Sequence, residues 1–354
     1  MQAESVPADL PLVAVPSDGG WRQSTGYLLG RKALGAVFVI YIVVTLSFFL
    51  IRLMPGNAVD YLREKLLMQG NLTLNDVNTQ IRAIYGLDIK QPLGVQYLQY
   101  MGNLIHGNLG KSILYPGRSV SAIIGSAVPW TILVVASSLM VSFVVGVLLG
   151  VVAAYKRASW YSHLITLVSA ISSAVPNYII AILALYWLGD ITHTFPVGGA
   201  YDVSVTPGFN LPFFANVIDH AFLPFLAYTL AGFGGWMLGM KGNTTSVLGE
   251  DYITAATARG IPERKIIVHY VGRNALLPAM TNLAIQIGYL FGGSVFIETT
   301  FSYPGLGYYL ITSTDGRDYP LMMGCFLLII VAVVVANFIA DLLYVKLDPR
   351  IQLF

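Results

Sequence analysis

Six stretches of this chain contain no Asp, Glu, Lys or Arg: Ala33–Ile51, Ser119–Tyr155, Ala158–Gly189, His220–Met240, Asn274–Ile297 and Tyr319–Ala340. A bilayer core of about 30 Å takes roughly 20 apolar residues as one helix. Each stretch meets or nearly meets that length, so six transmembrane helices are expected. A soluble domain carries about 25% charged residues, whereas this chain of 354 residues carries 11%, with 56% hydrophobic. Pro176, Pro224, Gly234–Gly235 and Gly292–Gly293 fall inside these stretches. There they imply kinks and close helix approach.

Basic residues in the short loops orient the bundle. Arg31 and Lys32 precede the first span, Lys156–Arg157 separate the second and third, and Lys241 to Arg273 supply five more between the fourth and fifth. Lys346 and Arg350 follow the sixth, while the alternate short loops hold only Arg317. Both termini are therefore expected on the cytosolic side. Residues 1–30 read as a cytosolic arm rather than a cleavable signal, with Trp21 and Tyr27 able to touch the membrane surface. Residues 31–354 form the membrane domain. Within it, 55–128 is mainly an external cap, with short amphipathic helices expected at Asp60–Leu67, Leu74–Ile84 and Leu93–Ile105. The 241–276 segment is a cytosolic loop of two helices. Asp251 is expected to cap the first, Gly260 to stop it, and Pro262 and Glu263 to open the second.

The net charge of +2 argues against nucleic acid as a partner, and one cysteine, Cys325, excludes an intrachain disulfide. His106, His163, His193, His220 and His269 are scattered, with no ligand spacing for a metal. His220, beside Asp219, reads as an interfacial hydrogen-bonding group. No nucleophile elbow or paired catalytic carboxylates appear, so no catalytic residue is assigned. Gly107–Ser112 ends in Gly-Lys-Ser, but Ile105 stands where a phosphate loop needs its first glycine. It reads as a turn of the cap. Asn71-Leu72-Thr73 is a sequon of the kind that arises by chance.

Residues 251–265 are unusual for so apolar a chain. Thr254, Ala255, Ala256 and Ala258 offer a face without long side chains, and Arg259, Glu263, Arg264 and Lys265 place charges around it. A soluble motor could grip such a handle. Glu298, followed by Pro304, Gly305 and Gly307, is read as accepting backbone amides and fixing an outward hairpin; a gating role is the alternative. Asp341 is read as a structural anchor at the end of the last span.

Thr254-Ala255-Ala256, then Gly260 and later Leu277-Pro278, resemble the coupling loop of ATP-binding-cassette (ABC) importer permeases, with Thr for Glu. Further motifs resemble the B-type subunit of the dipeptide/oligopeptide/nickel family over residues 31–354: Arg52–Gly56, Tyr85–Asp88, Gly107–Ser112, Ser173–Pro176, Glu298–Gly307, Arg317–Pro320, Asn337, Asp341–Tyr344 and Leu347–Arg350. The resemblance implies an all-α integral membrane protein of the type I importer permease fold. It implies coupling contacts at Thr254, Ala255, Ala256, Arg259, Gly260, Ile261 and Glu263. It also implies a C-type permease partner, two ATPase subunits that bind ATP and Mg, and an external substrate-binding protein, with no cofactor on this chain. Oligopeptides are the expected cargo, and oligosaccharides or metal chelates the alternatives. A secondary transporter would call for ionisable pairs deep in the spans or inverted halves, and the sequence has neither.

Overall fold

The computed structural model describes residues 25–54, 63, 67, 68, 92–288 and 295–347, with 25–29, 288 and 340–347 in backbone only. Every named element within them is helical: α1 Thr25–Leu53, α2 Leu93–Ile105, α3 Val120–Tyr155, α4 Trp160–Ala174, α5 Asn177–Ala184, α6 Leu211–Leu248, α7 Asp251–Ala258, α8 Glu263–Lys265, α9 Arg273–Gly288, α10 Val295–Thr300, α11 Leu306–Asp315 and α12 Tyr319–Leu347. One π-helical segment, Leu185–Ile191, extends α5, and another, Ile266–Gly272, joins α8 to α9. The chain is thus all-α, as its apolar periodicity requires.

Among the described residues, four helices are long and apolar enough to cross a membrane: Gly30–Leu53 of α1, α3, α6 and Tyr319–Ile339 of α12. The expected third span differs from its sequence reading. It is two helices, α4 and the α5 unit, bent by 101°. Pro176 is the cause: it has no N–H to continue the ladder and drives Val175 out of the helical region, to φ −82° and ψ 124°. The expected fifth span begins with α9 and reaches α10 through 289–294, which lie outside the described residues. The cap helix expected at 74–84, that expected at 60–67 apart from residues 63 and 67, most of the 1–30 arm, Gly292–Gly293 and the terminal Asp348–Arg350 also lie outside them. The third cap helix forms over Leu93–Ile105.

α3 and α6 make the most extensive helix contact in the bundle. Ser138, Ser142, Gly146 and Gly150 recur every fourth residue on α3 and so line one side of it. A Cβ at Gly146 would stand 2.5 Å from Cβ of Trp236, and one at Gly150 would stand 2.7 Å from the Met237 carbonyl oxygen. α4 crosses α6 as closely, the Ser169 carbonyl lying where a Cβ of Gly234 would be. In a bilayer, helices gain little from burying apolar surface against one another, so such backbone approach supplies the packing attraction. Large side chains instead face outward, as with Leu34, Phe38, Leu164, Leu167 and Ile171.

At one end of α3 a core gathers Phe48 and Ile51 of α1, Ile123 of α3, Leu306 of α11, and Leu321 and Met322 of α12. The loop before α3 is pinned there by Asp318, which is fully buried. Asp318 accepts from Ser112 Oγ (2.5 Å), the Ile113 and Leu114 amides (2.8 and 3.0 Å) and the Leu321 amide at the start of α12 (3.1 Å). Positive φ at Gly107 and Gly110 turns the loop into that carboxylate.

Replacing Gly150 by Leu is expected to cost upward of about 2 kcal/mol, because backbone rather than a flexible side chain must move. Gly239→Ala, where a Cβ meets nothing within 4 Å, is expected to leave stability intact. Thermal unfolding of the purified protein compares the two; equal melting temperatures would contradict the packing role of Gly150.

Candidate functional site: an inner cavity, a hairpin staple and a helical handle

The bend at Pro176 opens a cavity of about 770 Å³ between α3, α4, α5, α6 and α9. Its wall mixes Val135, Leu139, Ile285 and Trp236 with Ser138, Ser142, Ser173, Asn177, Asn282 and Gln286. Two of the hydroxyls already have acceptors. Ser138 donates to the Val134 carbonyl at 2.6 Å and Ser142 to the Leu139 carbonyl at 3.0 Å. The amides of Asn282 and Gln286 line the same cavity one helical turn apart on α9, so they face the space together. Sequence reasoning passed over them. The available signal was polar residues at spacing four inside an otherwise apolar run.

Beside this cavity, α10 and α11 form a tight hairpin through Phe301–Gly305. Glu298 is completely buried, and its Oε2 accepts from the Gly307 amide at 2.7 Å and the Tyr308 amide at 3.3 Å. The amide of Leu306 donates to Thr131 Oγ1 of α3 at 2.8 Å. The first amides of α11, which no helical carbonyl can satisfy, thus meet a carboxylate at the positive end of the helix and a hydroxyl. Gly305 and Gly307 are required by contact. A Cβ on Gly305 would collide with the Glu298 carboxyl group, and one on Gly307 would stand 2.5 Å from Val295 Cα. Pro304 lies half-buried between Tyr303 and Gly305, and Tyr303, fully buried, meets Trp130 edge-on at 6.2 Å between ring centres. Burial raises the Tyr303 phenol pKa, and the Glu298 charge raises it further.

His220 is nearly buried; its Nδ1 lies 2.9 Å from the Asn216 carbonyl and its Nε2 3.6 Å from Asp202. Asp341 sits in the last turns of α12, its side chain outside the described residues.

Toward the other end of α3 lies the handle. α6 runs on as one helix to Leu248, well past the expected loop boundary at Lys241, because nothing between them breaks it. Glu250, not Asp251, takes the cap position of α7; Asp251 is its first residue and no side chain caps the helix. α7 ends at Gly260, whose φ of 72° only glycine adopts without strain. Ala256 corrects the expectation of an open small-residue face. It is buried with Ile253, Ile266 and Val271 in a core that also holds Val247, Leu248, Ile261 and Tyr270. Thr254, Ala255, Thr257, Ala258 and Arg259 remain exposed. Glu263, at the start of α8, interacts with the phenol of Tyr155, the last residue of α3. Thr131 and Tyr155 are 24 residues apart on one helix, or about 36 Å at 1.5 Å per residue. The structure therefore brings Glu298, Gly305 and Gly307 together, and Thr254–Glu263 together, but at two separate levels of the bundle.

Long apolar helices, a polar-lined cavity at a broken span and a compact helical handle together define a multi-pass membrane transport component. A family model described as "Binding-protein-dependent transport system inner membrane component" matches residues 146–353, more than half of the chain. The chain is 33% identical over 329 residues to a putative peptide permease protein of Brucella suis, covering 92% of this chain and 98% of that one. It is 32% identical over 322 residues to the oligopeptide transport system permease protein AppB of Bacillus subtilis, covering 91% and 98%. With the nickel import system permease protein NikB of Staphylococcus aureus it shares 32% over 324 residues, 91% and 90% of the two chains. The chain belongs to this family of inner-membrane ABC importer permeases, in the dipeptide/oligopeptide/nickel group that its motifs resemble.

Glu298→Ala would leave the Gly307 and Tyr308 amides without their acceptor and is expected to cost about 2–3 kcal/mol. Glu298→Gln keeps a carbonyl oxygen and is expected to lose less. Thermal unfolding in detergent reads both, and an unchanged melting temperature for the alanine variant would rule out the staple.

Proposed function

We propose that this chain forms half of the translocation pathway of an ATP-driven importer whose cargo is a short peptide or a chemically similar solute. The cavity at the Pro176 bend carries this reading. Hydroxyl and amide groups on an apolar wall suit a solute rich in hydrogen-bonding groups, and two of the relatives above are named as peptide permeases. A C-type permease supplies the facing wall, and an external binding protein delivers cargo. Two ATPase subunits, which bind ATP and Mg, push on α7. The loop basic residues support a cytosolic position for that handle and for both termini. Closure of the ATPase pair moves α7, and α6 and the Ile266–Gly272 segment that leads into α9 follow because they share its core.

Proteoliposomes containing this chain and its partners are expected to accumulate oligopeptide only with ATP inside the ATPase compartment. Uptake by this chain without an ATPase would overturn the reading. In the assembled complex, cysteine at the exposed Thr254 or Ala255 is expected to crosslink to an ATPase subunit several times more efficiently than at the buried Ala256. A reversed order would show that α7 docks by another face.

A further inference from the structure

The handle end of the bundle has a second concavity, of about 380 Å³, walled by Pro262, Arg264, Lys265, Val268 and His269. Arg264 and Val268 are four residues apart, as are Lys265 and His269, so one side of the segment carries them all. Ile266 and Val271 point the other way, into the core shared with α7. Arg264, Lys265 and His269 are exposed, and among the described residues none of them forms an ion pair. The neighbouring carboxylate, Glu263, interacts instead with Tyr155. Lys156 and Arg157, both exposed, directly follow Tyr155 in the chain. The result is a concentration of positive charge that the fold itself leaves uncompensated.

Its depth relative to the bilayer follows from connectivity. The segment passes through the Ile266–Gly272 turn directly into α9, so the cleft lies roughly 10–15 Å from the start of the apolar run. Val268, in the wall of the same cleft, is 57% exposed, and Trp160, three residues after Arg157, is 76% exposed. An acidic protein surface would satisfy the cations but leave these apolar side chains against polar groups. The headgroup layer satisfies both, since tryptophan and the stems of basic side chains settle there.

We propose that Arg264, Lys265 and His269 bind the phosphate of an anionic phospholipid, with Val268 against the upper part of its acyl chains. Clusters of basic residues next to a span attract anionic headgroups through the negative potential of the leaflet. The occupant would tie the α8–α9 junction to the bilayer while α7 remains accessible.

The test uses the intact complex in nanodiscs of mixed phosphatidylcholine and phosphatidylglycerol, with native mass spectrometry counting the lipids retained. Wild type is expected to retain phosphatidylglycerol several-fold over phosphatidylcholine. Arg264→Gln with Lys265→Gln is expected to abolish that preference. Lys111→Gln with Arg118→Gln, the same loss of charge at the other end of α3, is expected to keep it, and so is the charge-preserving pair Arg264→Lys with Lys265→Arg. Undiminished preference in the double glutamine variant would overturn the proposal, as would its loss in the charge-preserving pair. Equal protection of the complex by inorganic phosphate alone would mean a soluble-anion site and would also overturn it. So would loss of ATPase co-purification with lipid retention unchanged, which would assign the cleft to a protein partner. The readout is bound lipid, so it stands or falls separately from transport.

Discussion

The backbone contact between α3 and α6 governs most of what surrounds it. Gly146 and Gly150 let the two longest helices approach until Cβ atoms would collide, and that closeness fixes where everything on either helix can go. α4 is drawn against α6 at Gly234 by the same means. Once these three are locked, the chain after Pro176 has to leave the α4 axis, and the space it vacates becomes the cavity. A soluble core tolerates a missing methylene by partial collapse. Here the tolerance runs in one direction only, because there is no hydrophobic driving force to pull the helices back together once a side chain has wedged them apart.

Two buried carboxylates serve the connections between helices in the same way. Asp318 gathers the amides of the Ser112–Leu114 loop and the first turn of α12, and Glu298 gathers the first turn of α11. Each takes backbone donors that would otherwise be stranded where water is scarce, and each sits at a helix N-terminus that favours negative charge. Ionised groups at such depth are costly unless donors surround them. Asp318 takes donors from a loop some two hundred residues earlier and so ties distant segments together, whereas Glu298 closes its own local hairpin.

The apolar runs make the helices legible from the amino-acid sequence, since a helix is the one secondary structure that buries an unbroken stretch of that length in lipid without an open edge. The α2 limits and the stop at Gly260 are equally readable, from periodicity and from glycine. What escapes is contact. Ala256 looks like part of an open face by composition, yet only the return of Ile266 and Val271 reveals which side of α7 is covered. Pro176 announces a kink, but the size of the bend depends on what α5 packs against. Asp318 stands before an apolar run, a recognisable capping position. Its capture of a loop some two hundred residues earlier has no signature in spacing. The amides of Asn282 and Gln286 gain significance only because α9 faces the Pro176 break.

The shared core beneath α7 has a mechanical consequence. Ile253 and Ala256 are packed with Val247 and Leu248 at the end of α6 and with the residues that lead into α9, so one core joins the three elements. Gly232 on the cavity wall is 16 residues from Leu248, or about 24 Å along the helix axis. A tilt of about 10° pivoted near Gly249 therefore sweeps the wall by roughly 4 Å, more than the radius of a water molecule and about the width of an extended chain. Under the proposed function the molecule would work as a lever with a short arm outside the bundle and a long one inside it, magnifying small displacements of the handle at the cavity wall.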